Sequence, residues 1–66
     1  MSENVVVWIE GDWRCVFYPG FGAAARLEVY FGEYLVTSEE TPSGDPASRR
    51  AEVLRQRVVR GDLRAV

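Results

Sequence analysis

Histidine and lysine are absent from the 66-residue sequence, and cysteine occurs once, at position 15. A single thiol cannot form a disulfide within the chain. It also cannot supply the set of nitrogen and sulfur ligands that a zinc site uses. We therefore expect no intrachain disulfide, no metal and no cofactor, so stability must come from packing or from association.

The same absences count against catalysis. Without histidine or lysine, the chain lacks the commonest general base and the amine that forms Schiff bases. Cys15 lies in the middle of a predicted strand, and its neighbour Arg14 points to the opposite face, so a buried structural thiol is the better interpretation. Carboxylates occur at predicted turns, where solvation explains them. We expect no enzyme.

Long hydrophobic runs are also missing. The longest apolar run, at 5–9, is far too short for a membrane span or a signal sequence, and no basic segment precedes it. A cytoplasmic location is the expectation, and a lone unpaired thiol fits a reducing compartment.

The chain has the length of one small domain, which we place at residues 1–66. A domain of this size buries a smaller share of its surface than a larger one, and the gain from burial nearly cancels the entropy of ordering. With disulfide and metal ruled out, we expect a protein partner, with a homodimer as the leading form.

Residues 4–18 predict a β-hairpin. Two runs of β-branched and aromatic residues flank Glu10-Gly11-Asp12, and Gly11 suits the first position of a two-residue type II′ turn. That turn places Trp8 opposite Cys15 and Val6 opposite Phe17.

Residues 26–38 predict a second hairpin, again with a glycine, Gly32, first in the turn. One predicted face of it forms the core: Leu27, Val29, Phe31, Tyr34 and Val36. The connection 19–25 contains Pro19-Gly20, a turn signal, and leads to a strand rather than to a helix, so a phosphate-binding loop is not expected.

A polar linker at 39–45 and a helix at 46–60 complete the prediction. Asp45 can cap the helix, Pro46 suits its first turn and Gly61 can end it. Ala47, Ala51, Leu54 and Val58 form a narrow apolar stripe. The fold class is therefore α+β: a four-stranded antiparallel β-meander packed by one C-terminal helix, in the order β-β-β-β-α.

One helix covers one side of such a sheet, so the other side is left exposed. That second face is predicted to be largely apolar, which is typical of an interaction surface: Val5, Val7, Ile9, Val16, Tyr18, Tyr30 and Leu35. The first strand is also an apolar edge with no lysine or proline to prevent pairing with another chain. The alternative is a sheet that curls into a small barrel and buries both faces.

A second functional hypothesis is binding to RNA or DNA. Arginines line one flank of the predicted helix and could contact phosphates: Arg49, Arg50, Arg57 and Arg60, with Arg64 included if the helix continues past Gly61. Trp13 and Phe21 could stack on bases. The net charge of −2 counts against this hypothesis. A small protein–protein interaction domain is the leading prediction.

Overall fold

Four antiparallel strands form one sheet, and a single helix follows them. The structure, a computed structural model, describes residues 4–20 and 24–63. The strands occur in the sheet in their sequence order. The predicted α+β fold, with its order β-β-β-β-α, is confirmed. The elements are β1 (Val5–Glu10), β2 (Trp13–Pro19), β3 (Ala24–Phe31), β4 (Tyr34–Pro42) and α1 (Asp45–Arg60).

Both hairpin turns begin with a glycine, as predicted. Gly11 has φ +59° and Gly32 has φ +60°, while no other residue type in the described segments has a positive φ. Positive φ at the first turn position alone is the pattern of a type II′ turn, which glycine adopts without steric cost.

The register of β1 against β2 corrects part of the prediction. Trp8 lies opposite Cys15 as expected, but a β-bulge interrupts the ladder between Val6 and Trp8. Val6 therefore lies opposite Val16 instead of Phe17, and Val5 takes the place opposite Phe17. Because opposed residues share a face of the sheet, the bulge exchanges the predicted faces of Val5 and Val6.

A second bulge, on β4, corrects the other hairpin. Tyr30 lies opposite Leu35 while Val29 lies opposite Thr37, so Val36 is the extra residue. Thr37 takes the core-side position next to Val29. The strand also continues to Pro42, pairing Ala25 with Thr41, so the hairpin does not end at 38 and the first four residues of the predicted linker 39–45 belong to β4.

The helix begins one residue earlier than the predicted 46–60 and ends where predicted. Gly44 is its N-cap residue, with no side-chain cap, so the capping role expected of Asp45 is wrong. At the other end Gly61 is left-handed, and its N–H donates to Val58 while that of Asp62 donates to Arg57. These two bonds form a Schellman motif, which ends the helix at the predicted glycine.

The core lies between α1 and one face of the sheet. Its fully buried members come from β2, β3 and the helix stripe: Cys15, Leu27, Val29, Ala51 and Leu54. Trp8, Trp13, Phe17 and Val58 pack around them. The sheet is open, with β1 and β4 as its two edges, so the described strands do not close into the alternative barrel.

Candidate interaction surface

Exposed aliphatic side chains concentrate on the edge strand β1. Val5, Val6, Val7 and Ile9 are each between 42% and 66% exposed. The described residues of β4, the other edge, expose only Tyr34 and Leu35 among large apolar side chains. This exposure of apolar side chains along one strand makes the β1 edge the candidate interaction surface.

Two long-range contacts hold β1 against the helix. The indole Nε1 of Trp8 donates to the carbonyl of Ala51 at 2.8 Å, and the Arg55 guanidinium lies 3.0 Å from the Glu10 carboxylate. The strand advances about 6 Å from Trp8 to Glu10, and the helix advances about 6 Å from Ala51 to Arg55. Because the two contacts match in order and spacing, β1 and α1 run side by side in the same direction. The strand therefore presents a fixed outer edge.

Arg55 also binds Glu52 one helical turn before it, with 2.7 Å between Nη2 and Oε1. These hydrogen bonds lower the pKa of the Glu52 carboxyl. One guanidinium thus joins the end of β1 to the helix, a role that the sequence prediction did not assign to Arg55.

An apolar groove of about 550 Å³ lies between β1 and the first half of α1. The three valines of β1 form one side, and Ala47 and Ala51 form the other, with Phe17 and Leu27 beneath. The small alanine side chains leave this space next to the edge strand. Val5, which lies opposite Phe17, is on the helix side of the sheet, and this corrects its predicted place on the far face.

The far face of the sheet carries a polar network over its centre. Tyr30 donates from its hydroxyl to Glu28 at 2.5 Å, and Ser38 donates to the same carboxylate at 3.3 Å. The bond to Glu28 raises the pKa of Tyr30 well above its usual range. Arg14 stacks on the Tyr30 ring at 4.5 Å and donates to the Gly32 carbonyl at 2.6 Å.

This network divides the predicted apolar face. Tyr18 and Tyr30 are half-buried, with their hydroxyl oxygens 3.5 Å apart, and Val16 is only 5% exposed. Ile9 and Leu35 do lie on this face, but Arg14 and Tyr30 stand between them in one cross-strand row. The continuous patch that alternation predicted is therefore wrong, and apolar exposure is greatest at the β1 edge.

The predicted arginine flank is partly neutralised. Arg50 forms two hydrogen bonds with Glu39, the shorter at 2.5 Å, and this carboxylate raises the pKa of Arg50. Arg60 lies 3.7 Å from Asp62. Among the described residues Arg49 and Arg57 have no ion-pair partner and are exposed.

The aromatic residues proposed for base stacking give the nucleic-acid hypothesis little support. Trp13 is half-buried and meets Phe31 edge to face, with ring centroids 5.0 Å apart. Phe21 and Arg64 lie outside the described residues.

The described segments give no indication of a metal site. They contain no group of three or more cysteine or acidic side chains placed to hold a metal ion. Burial raises the pKa of the Cys15 thiol to about 11, with Glu39 adding to the shift, so its reactive thiolate is disfavoured. Within residues 4–20 and 24–63, no helix has the length and apolar character needed to span a bilayer.

Comparison of the chain with protein-family models, with curated proteins and with solved structures finds no match. The functional proposal therefore depends on the surface described above.

Proposed function

We propose that this chain is a small protein–protein interaction domain that self-associates through the edge strand β1. The observation that carries the proposal is that four of the seven exposed aliphatic side chains in the described residues lie on that one strand. An edge strand offers unpaired backbone N–H and C=O groups, and a second strand can bind to it by adding to the sheet. Burial of the aliphatic side chains then adds to the hydrogen bonds.

The two edges of the sheet differ in a way that favours β1. The last part of β4 contains Glu39, Glu40 and Pro42, and charged residues and proline at an edge oppose pairing with another strand. β1 has one charged residue, Glu10, and Arg55 pairs with it. Each edge has one bulge, so on β1 pairing must use the runs 5–6 and 8–10. These runs are short, so we expect association in the micromolar range.

The position of β1 reduces the entropic cost of binding. Its contacts with Ala51 and Arg55 fix the strand in the free protein, so binding does not have to order it.

A domain of this size also gains stability from a partner, since no disulfide is formed within the chain. The cytoplasm suits a domain with one reduced thiol, and we propose that location.

Sedimentation or light scattering across micromolar concentrations tests the proposal. We expect a concentration-dependent dimer that Val6→Glu or Ile9→Glu converts to a monomer, because either carboxylate would be buried at the new contact. Leu35→Glu is the matched control: it introduces the same charge on an equally exposed aliphatic residue at the other edge. A wild-type monomer at high micromolar concentration would disprove the proposal, and so would equal disruption by Leu35→Glu.

Nucleic-acid binding is the alternative function, and the ion pairs of Arg50 and Arg60 weaken it. Arg49 and Arg57, both without an ion-pair partner in the described segments, are the residues with which to test it. The double variant Arg49→Glu, Arg57→Glu should keep the fold, and it would abolish salt-sensitive binding if that function were correct. Our proposal expects no binding to single- or double-stranded RNA or DNA at low salt.

A further inference from the structure

We infer that two copies of this chain pair β1 with β1 in antiparallel orientation, with Val6 of each copy opposite Ile9 of the other. The inference rests on the proposed self-association and specifies its geometry. It depends on the bulge in β1, on the position of the single charge of the strand and on the side of the sheet that α1 covers.

The bulge decides which side chains share a face. In a regular strand, residues three apart point to opposite faces. Here Val6 lies opposite Val16 and Ile9 lies opposite Arg14, and both of these β2 residues belong to the face away from α1. Val6 and Ile9 therefore lie on one face of β1. The helix side of the strand carries Val5 and Trp8, opposite Phe17 and Cys15.

Antiparallel strands related by a twofold axis place residues of the same face opposite each other. With Val6 opposite Ile9, Val5 falls opposite Glu10 and Val7 falls opposite Trp8. The pairs 6–9 and 5–10 then each face one side of the joined sheet, while Val7, the extra residue of the bulge, lies next to the twofold axis. Moving the register by one residue would oppose the far face of one copy to the helix side of the other.

The charge of β1 favours the antiparallel orientation. Glu10 is its only charged residue and lies at its last position. In the inferred register the two Glu10 residues are five positions apart along the strand, about 17 Å. A parallel pair in register would bring them to about 5 Å, where like charges oppose association.

In this register the second copy also lies next to the groove beside β1. The twofold axis is perpendicular to the sheet, so both helices cover the same side of an eight-stranded sheet. The strand of the second copy then runs along the open side of the groove formed by Val5, Val7 and Ala47. Its Trp8 and Glu10 lie next to the valines that are exposed in the single chain. The apolar side chains of both faces of β1 are thereby covered by one contact.

Disulfide trapping of the double variant Val6→Cys, Ile9→Cys tests this register. The two new thiols of one chain are about 10 Å apart along the strand, too far to bridge each other. Oxidised glutathione should therefore give a covalent dimer with two disulfides, each mapped by mass spectrometry to positions 6 and 9 of different copies. Val6→Cys alone, Ile9→Cys alone and Leu35→Cys are the controls, and we expect at least tenfold slower dimer trapping for each.

The outcomes separate this inference from the proposed function. A wild-type dimer whose double variant links 6 to 6 or 9 to 9, or does not link, overturns the register and leaves self-association in place. A wild-type monomer overturns both. If the double variant does not fold, NMR on a mixture of ¹³C-labelled and unlabelled wild-type chains decides: methyl contacts between Val6 and Ile9 of different copies support the register, and their absence in a dimer overturns it.

Discussion

Trp8 and Ala51 are 43 residues apart in the sequence, yet the Trp8 indole N–H donates to the Ala51 carbonyl at 2.8 Å. Ala51 is in the middle of α1 and is 1% exposed. The bond thus joins the edge strand to the centre of the helix at a buried residue. With the Arg55 contact to Glu10, it fixes how far along β1 the helix lies.

Trp8→Phe should lower the free energy of unfolding by about 1–3 kcal/mol. The variant keeps an aromatic ring but removes the N–H donor and part of the packed indole. Urea denaturation followed by circular dichroism measures the change. Trp13→Phe is the matched control, since the described residues offer Trp13 no hydrogen-bond acceptor. A larger loss for Trp13→Phe would mean that the bond to Ala51 contributes little.

Arg50→Glu should destabilise the fold by about 1 kcal/mol, because it places a carboxylate next to Glu39 on β4. The present pair is about one third exposed, so solvent limits its contribution. Arg49→Glu, at the adjacent and unpaired position, should leave the unfolding free energy within about 0.5 kcal/mol of wild type. Thermal melts of the two variants at low and high salt measure the difference. Equal stability would show that the Glu39 contact does not hold the helix.

Stability should decrease as pH rises from about 9 towards 11, because the folded protein holds the Cys15 proton more tightly than the unfolded chain does. Burial raises this pKa from 9.0 to about 11, so only the unfolded thiol ionises in that window. The loss should reach about 1 kcal/mol by pH 10. Cys15→Ala should be less stable at neutral pH and should lose less stability than wild type between pH 9 and 10, while the raised pKa of Tyr30 gives both proteins a further decrease above pH 10. An identical slope in the variant would assign the loss to another group.

Gly20→Ala should lower stability by about 1–3 kcal/mol, since a side chain at this position would overlap the backbone carbonyl oxygen of Ala24. The backbone there has little room to move, because Ala25 pairs with both Pro19 and Thr41. Chemical denaturation measures the loss. A variant within about 0.5 kcal/mol of wild type would show that the connection relaxes without cost.

Much of the fold follows from local sequence features. Gly11 and Gly32 determine both turns, and Pro46 and Gly61 mark the first turn and the end of the helix. The bulges at Val7 and Val36 did not follow, because each depends on how an edge strand twists against its neighbour. The end of β4 was also missed. Polar residues such as Glu39 and Glu40 can pair through the backbone when β3 supplies partners, and side-chain composition does not show this.

The candidate surface was predicted less well for the same reason. Strict alternation placed Val5 and Val7 on the far face and Val6 in the core, whereas the bulge reverses the places of Val5 and Val6. Alternation also gave no sign that Tyr30, Arg14 and Glu28 would form a polar network over Val16. Four members of the predicted set are exposed, namely Val5, Val7, Ile9 and Leu35, and the edge position of β1, which follows from strand order, identified where the exposure is concentrated.

The bond between Trp8 and Ala51 also has a consequence for synthesis of the chain. Translation produces the edge strand first, and its acceptor carbonyl follows 43 residues later. The hairpins can form by local contacts in the meantime, but their apolar surface has no helix to cover it. Until residue 51 has left the ribosome, the nascent chain therefore displays the core face of the meander as well as the far face.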